Sequence, residues 1–161
     1  MSEFPQTIHV VDDDEAMRDS MSWLLEGEGY AVACYDSADS FLAAHNERMH
    51  GCIVLDVRMP QMSGLELHEK LDALGSRLPI IFVTGHGDVS SARTAFRAEA
   101  VDFLEKPFEH AQLRAAVETA YGLEAQRLQR AQMREAAAGR LAAPLDQLLP
   151  LVGLGVRAVQ A

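Results

Sequence analysis

Short apolar runs rich in valine and isoleucine recur five times: TIHVV ending at Val11, YAVACY from Tyr30, CIVLD ending at Asp56, PIIFVT ending at Thr84, and VDFLE from Val101. Runs this short and this rich in β-branched residues read as buried strands. Between them apolar residues return at helical spacing, as at Met17, Met21, Leu24 and Leu25, and again at Leu65, Leu67, Leu71 and Leu74. Strand and helix alternate five times. Runs apolar on both faces, joined by helical crossovers, predict an α/β fold: a doubly wound, five-stranded parallel sheet with helices on both faces.

In such a sheet ligands gather beyond the carboxyl ends of the strands, where strand order reverses. The residues at those ends form an unusual set. Asp12, Asp13 and Asp14 follow the first run, the third closes on Asp56, the fourth on Thr84, and Lys106 with Pro107 follows the fifth. Taken singly, each has an ordinary explanation. Acids at a helix start complement the helix dipole, Asp56 could be a loop acid, Thr84 a strand-end hydroxyl and Lys106 a solvated charge. Their joint placement after successive strands favours a site.

Carboxylates from two strands meeting at one crevice repel unless a hard cation lies between them, and oxygen ligands with open water positions suit magnesium. Such a metal commonly binds phosphate as well, and Thr84 and Lys106 offer a hydroxyl and a positive charge for its oxygens. A carboxylate can itself accept a phosphoryl group, and Asp56, ending the central apolar run, is the candidate acceptor.

Composition narrows this further. The chain has 161 residues, 48% hydrophobic and 24% charged, enough for one soluble domain with an appendage. Its net charge of -10 disfavours nucleic-acid or anionic-membrane binding by the chain as a whole. That charge is uneven: residues 1–121 hold 21 acids against 9 Lys and Arg, whereas residues 122–161 hold 3 acids against 5 Arg. The two cysteines, Cys34 and Cys52, do not form a C-x-x-C, and no stretch is long and apolar enough to span a bilayer or act as a leader. A cytoplasmic protein is expected. His9, His45, His50, His68 and His110 show no metal-ligand spacing and read as surface or strand-edge residues.

With these residues in view, the stretch from Ile8 to Tyr121 resembles the receiver domain of a two-component response regulator, in the FixJ-like branch. VVDDDEAMR, VLDVRMPQMSGLEL, IIFVTGHGDV and AVDFLEKPF match its segments in order. The resemblance implies that Asp13 binds magnesium directly, that Asp12 helps hold it through water, and that Asp56 both ligates it and accepts phosphate from a sensor histidine kinase. It implies a metal-ligating backbone carbonyl at Arg58, phosphate-binding and switch roles for Thr84 and Lys106, and an aromatic switch at Phe103. His86 and Arg58 would influence phosphate lifetime. The chain would be a signalling phosphoacceptor controlling a transcriptional or protein–protein output, not an enzyme on external substrates.

Two other readings stand beside it. Asp12-x-Asp14 after a strand also resembles the nucleophile and acid of haloacid-dehalogenase-like, magnesium-dependent phosphohydrolases, although no later acidic pair or cap segment follows. A flavin-binding domain of similar fold is disfavoured, because acidic strand ends repel a flavin phosphate.

The chain departs from the FixJ-like pattern where SSAR follows GHGDV, at Glu99 in place of a glycine, and in its tail. Residues 1–121 form the expected receiver, residues 122–143 a helical extension rich in Ala, Leu, Glu, Gln and Arg, and residues 144–161 a short apolar tail. Val117, Tyr121, Leu128 and Ala131 make a heptad-like stripe that could pair with a second copy. The tail, with a single Arg157, does not resemble a helix-turn-helix, so no direct nucleic-acid binding is expected from it.

Overall fold

The computed structural model describes residues 5–85 and 100–141. Five strands are present among them: β1 (Thr7–Val11), β2 (Ala31–Tyr35), β3 (Gly51–Asp56), β4 (Ile80–Thr84) and β5 (Asp102–Glu105). Helices α1 (Glu15–Gly27), α2 (Ala38–Ala44) and α3 (Gly64–Ala73) connect or follow the first strands, and α4 (His110–Leu141) follows the last. All pairings are parallel, in the order β2-β1-β3-β4-β5. The expected doubly wound sheet is thus present. Its direction of growth reverses between β1 and β3, so the crevice for a ligand falls at the ends of those two strands.

Alternation along the central strands divides the core into two layers. Ile8, Val10, Cys52, Val54, Ile81 and Val83 point to the face covered by Met21 and Leu25 of α1 and by Leu113, Ala116, Val117 and Ala120 of α4. Val11, Ile53, Leu55, Ile80 and Phe82 point to the other, covered by Phe41 of α2 and by Leu67 and Leu71 of α3. Every residue of β3 and β4 is buried. β2 and β5 differ from the buried strands expected: as the sheet's edges they alternate between exposed and half-buried positions, with Leu104 the one buried residue of β5. Cys34 is accordingly an exposed thiol on β2, while Cys52 lies in the core.

Helix starts follow local chemistry. The Asp14 side chain accepts from the amides of Ala16 and Met17, while Ser37 and Ser63 form reciprocal capping boxes with Ser40 and Glu66. Asp14 and Glu15 therefore serve α1, as the simpler reading of that acidic run held.

His9 corrects the expectation of a surface histidine. It lies on the central strand β1, 4% exposed, with Nδ1 3.1 Å from the Tyr35 hydroxyl and its ring against Phe41. Burial pushes its pKa down from 6.5 to about 4.

The first compact unit runs to Ala125, one helical turn past the expected receiver boundary, and Gln126 begins a second. Contacts at the amino-terminal edge of the sheet account for that extra turn. Gln6 Nε2 donates to the Tyr121 carbonyl at 3.2 Å, and the Tyr30 and Tyr121 rings lie 5.3 Å apart. Glu124, fully buried, accepts from the Gly51 amide at 3.1 Å, with His50 Nδ1 4.0 Å away. Val117 and Tyr121 of the heptad-like stripe are thus spent on the chain's own body. Helix α4 runs unbroken through Gly122 and Gly139. His86, Glu99, the SSAR segment and the tail from residue 142 lie outside the described residues.

Two outcomes are expected. Gly51 has φ +130°, and a Cβ there would fall 1.8 Å from the Thr7 carbonyl oxygen; Gly51→Ala should cost more than about 2 kcal/mol, read from urea unfolding. His9 binds its proton more weakly folded than unfolded, so its contribution to stability falls as pH drops from about 6.5 towards 4. Between pH 7 and pH 4.5 wild type should lose about 2 kcal/mol relative to His9→Leu, measured by denaturation of both across that range.

Candidate metal and phosphoryl site

The crevice at the ends of β1 and β3 is lined by carboxylates that the strands hold in place. Asp12, 1% exposed, follows β1, and Asp56, 6% exposed, ends β3. Asp13 is exposed beside them, and one carboxylate oxygen from each of the three lies within 4.8 Å of the others. Two unit charges at that separation repel by about 3 kcal/mol at an effective dielectric near 20.

Lys106 offsets part of this repulsion. Its Nζ donates to Asp12 Oδ2 at 3.1 Å and stands 3.8 Å from Asp56 Oδ2. It arrives there because its backbone amide donates to the Thr84 carbonyl at 2.7 Å, continuing the β4–β5 ladder beyond the strand ends. The Lys106–Pro107 peptide bond is cis.

Among the described residues Lys106 offsets this repulsion only in part. Burial, and then the Asp12 charge, push the Asp56 pKa up to about 7, against the opposing pull of Lys106 and of the Arg58 amide, which donates to Asp56 Oδ1 at 3.3 Å. Three converging carboxylates short of positive charge fit a hard divalent cation such as magnesium.

The structure brings together four of the residues singled out from sequence: Asp12, Asp13, Asp56 and Lys106. Arg58 is joined to them through its amide, its side chain being exposed. Thr84 ends β4, fully buried, one position beyond Val83, the register partner of Asp56. Phe103 sits farther back, in mid-β5 opposite Phe82, half-buried against the core layer that holds Leu55 and Val57.

Two contributors were not apparent from sequence. Gly64 opens α3 so close to Asp56 that a Cβ would fall 2.2 Å from the Asp56 carbonyl oxygen; the SG pair after Pro60 was the available signal. Arg18, in α1, donates from Nη1 to the Asp12 carbonyl at 2.7 Å, and nothing in the sequence pattern distinguished it from a surface arginine.

Carboxylates at the switch point of a doubly wound sheet, with a lysine just after the last strand, mark a ligand-binding member of that fold class, and comparison with known proteins says which. Residues 8–118 match the response regulator receiver domain, and the chain belongs to that family. The transcriptional regulatory protein FixJ of Azorhizobium caulinodans is 46% identical over 135 residues, covering 84% of this chain and 64% of that protein. The response regulator protein TodT of Pseudomonas putida is 44% identical over 123 residues, covering 76% of this chain and 54% of that protein. The chain therefore spans less than two thirds of either relative. Among solved structures, FixJ-N superposes with TM-score 0.70 at 44% identity, covering 76% of this chain and 96% of that one. StyR gives TM-score 0.79 at 39% identity, covering 95% and 79%.

The phosphohydrolase alternative is not supported. Both Asp12 oxygens are engaged, by the Asp14 amide at 2.9 Å and by Lys106, while Asp14 spends its side chain on the α1 cap. The two residues that alternative needs thus serve the switch-point crevice and a helix cap, and the family matched over residues 8–118 is a different one.

Lys106→Met removes the main positive charge facing Asp56. In metal-free protein the Asp56 carboxyl should then titrate above its wild-type midpoint, followed by carbon-13 NMR of the side chain.

Proposed function

We propose that this chain is a phosphorylation-controlled switch of a two-component system, with Asp56 accepting a phosphoryl group from a phosphohistidine of a sensor histidine kinase. One observation carries the reading: the buried Asp56 carboxylate ends the central strand within 4.8 Å of the Asp12 and Asp13 oxygens, with Lys106 alongside.

An ionised Asp56 oxygen attacks phosphorus; the P–O bond forms as the P–N bond breaks, and the electron pair leaves on the imidazole nitrogen. Magnesium would be held by Asp13, Asp56 and the Arg58 carbonyl, with Asp12 supporting it through water, and supplies charge neutralisation to the phosphoryl oxygens. Lys106 holds Asp12 and Asp56 together before the reaction and presents its ammonium to the incoming group. Thr84 supplies a hydroxyl from the end of β4, and Phe103, half-buried, is the aromatic that turns inward when Thr84 moves. The product is a changed surface, so the chain works through partners and not as an enzyme on external substrates. The relatives' description as transcriptional regulators supports a transcriptional or protein–protein output.

Incubation with acetyl phosphate and magnesium should add the mass of one phosphoryl group, read by intact-protein mass spectrometry. Chelation of the metal or Asp56→Asn should abolish the adduct; an undiminished adduct on Asp56→Asn defeats the reading.

A further inference from the structure

Asp12 and Asp13 are neighbours in sequence but are held in opposite ways. Every polar group of Asp12 is engaged: its amide donates to the Tyr35 carbonyl at 3.1 Å, Oδ1 accepts from the Asp14 amide at 2.9 Å, Oδ2 accepts from Lys106 at 3.1 Å, and its carbonyl accepts from Arg18 Nη1 at 2.7 Å. The Asp13 side chain is exposed, and among the described residues no hydrogen bond fixes its carboxylate. The place from which Asp13 reaches the crevice is therefore set by its backbone.

That backbone begins with the peptide unit shared with Asp12. A peptide unit is planar, so fixing the Asp12 carbonyl fixes the plane that carries the Asp13 amide nitrogen and Cα, the point from which the Asp13 side chain departs. Three of the four Asp12 bonds hold its amide and carboxylate. The carbonyl has the Arg18 guanidinium, half-buried and reaching back from the second turn of α1. A charged donor at 2.7 Å is among the strong hydrogen bonds.

We propose that Arg18 is a positioning residue for the metal: by holding the Asp12–Asp13 peptide unit it keeps the Asp13 carboxylate aimed at the crevice. The inference rests on the metal-site reading given above. Its sign separates it from a purely electrostatic role. A guanidinium beside an acidic site repels a cation, so if charge alone mattered, removing it would tighten magnesium binding. If positioning dominates, removing it weakens binding.

The test is magnesium titration of the full chain, with dissociation constants taken from amide shifts in nitrogen-15 NMR spectra. Arg18→Gln should weaken binding by about tenfold, the low end of what losing a support behind a metal ligand costs. The Asp13 amide should also shift in the metal-free variant while signals from β3 and β4 stay in place. Arg18→Lys, which can still donate to the carbonyl, should recover part of the affinity. Should Arg18→Gln not fold, Arg18→Met keeps the apolar stem and gives the same comparison. An unchanged or tighter constant in the neutral variant overturns the inference, as does an equal loss in Arg18→Lys and Arg18→Gln. Wild type that shows no magnesium-dependent shifts would instead overturn the metal-site reading itself.

Discussion

Everything at the functional end of this molecule follows from holding like charges together. Asp12 and Asp56 are fixed by two central strands whose backbones cannot yield, because β1 and β3 are hydrogen-bonded on both sides and packed on both faces. Side chains on mobile loops would swing apart and the charge would dissipate into water. Here the two core layers bear the cost of keeping the carboxylates near one another, and Lys106 offsets only part of it. The remaining deficit of positive charge is what equips the crevice to receive a cation.

The lysine's position depends in turn on the far edge of the sheet. β5 touches only β4, and its own residues are mostly exposed or half-buried. Its register nonetheless delivers Lys106, because the ladder continues past Thr84 for one more hydrogen bond. An edge strand with little burial of its own thus positions the one cation that approaches both buried carboxylates among the described residues.

The central strands and four of the site residues were legible in the sequence for a simple reason. Strand runs announce themselves locally, and a parallel sheet brings their carboxyl ends to one rim without any knowledge of packing. What could not be read depends on which element lies over which. His9 looks polar along the chain, yet alternation on a central strand carries it beneath Phe41 and Tyr35. Glu124 looks like one more solvated acid in a polar helix, and only the passage of α4 under the start of β3 buries it. Arg18 is similar: its part depends on a reach of six residues back to a carbonyl, which no periodicity encodes. The edge strands misled because a short apolar run looks the same whether one neighbour or two will cover it.

Strand β3 is bounded by two positions of opposite kind. At one end Gly51 cannot gain a single carbon, because the Thr7 backbone occupies the space. At the other, Asp56 places its carboxylate within 4.8 Å of the Asp12 and Asp13 oxygens. Between them Cys52, Ile53, Val54 and Leu55 are buried side chains without charge, and apolar replacements of similar volume can be exchanged there at modest cost. Drift in this strand is thereby confined to its middle: its ends fix where the strand begins and what it presents, and the interior is free to vary in composition provided its volume is kept.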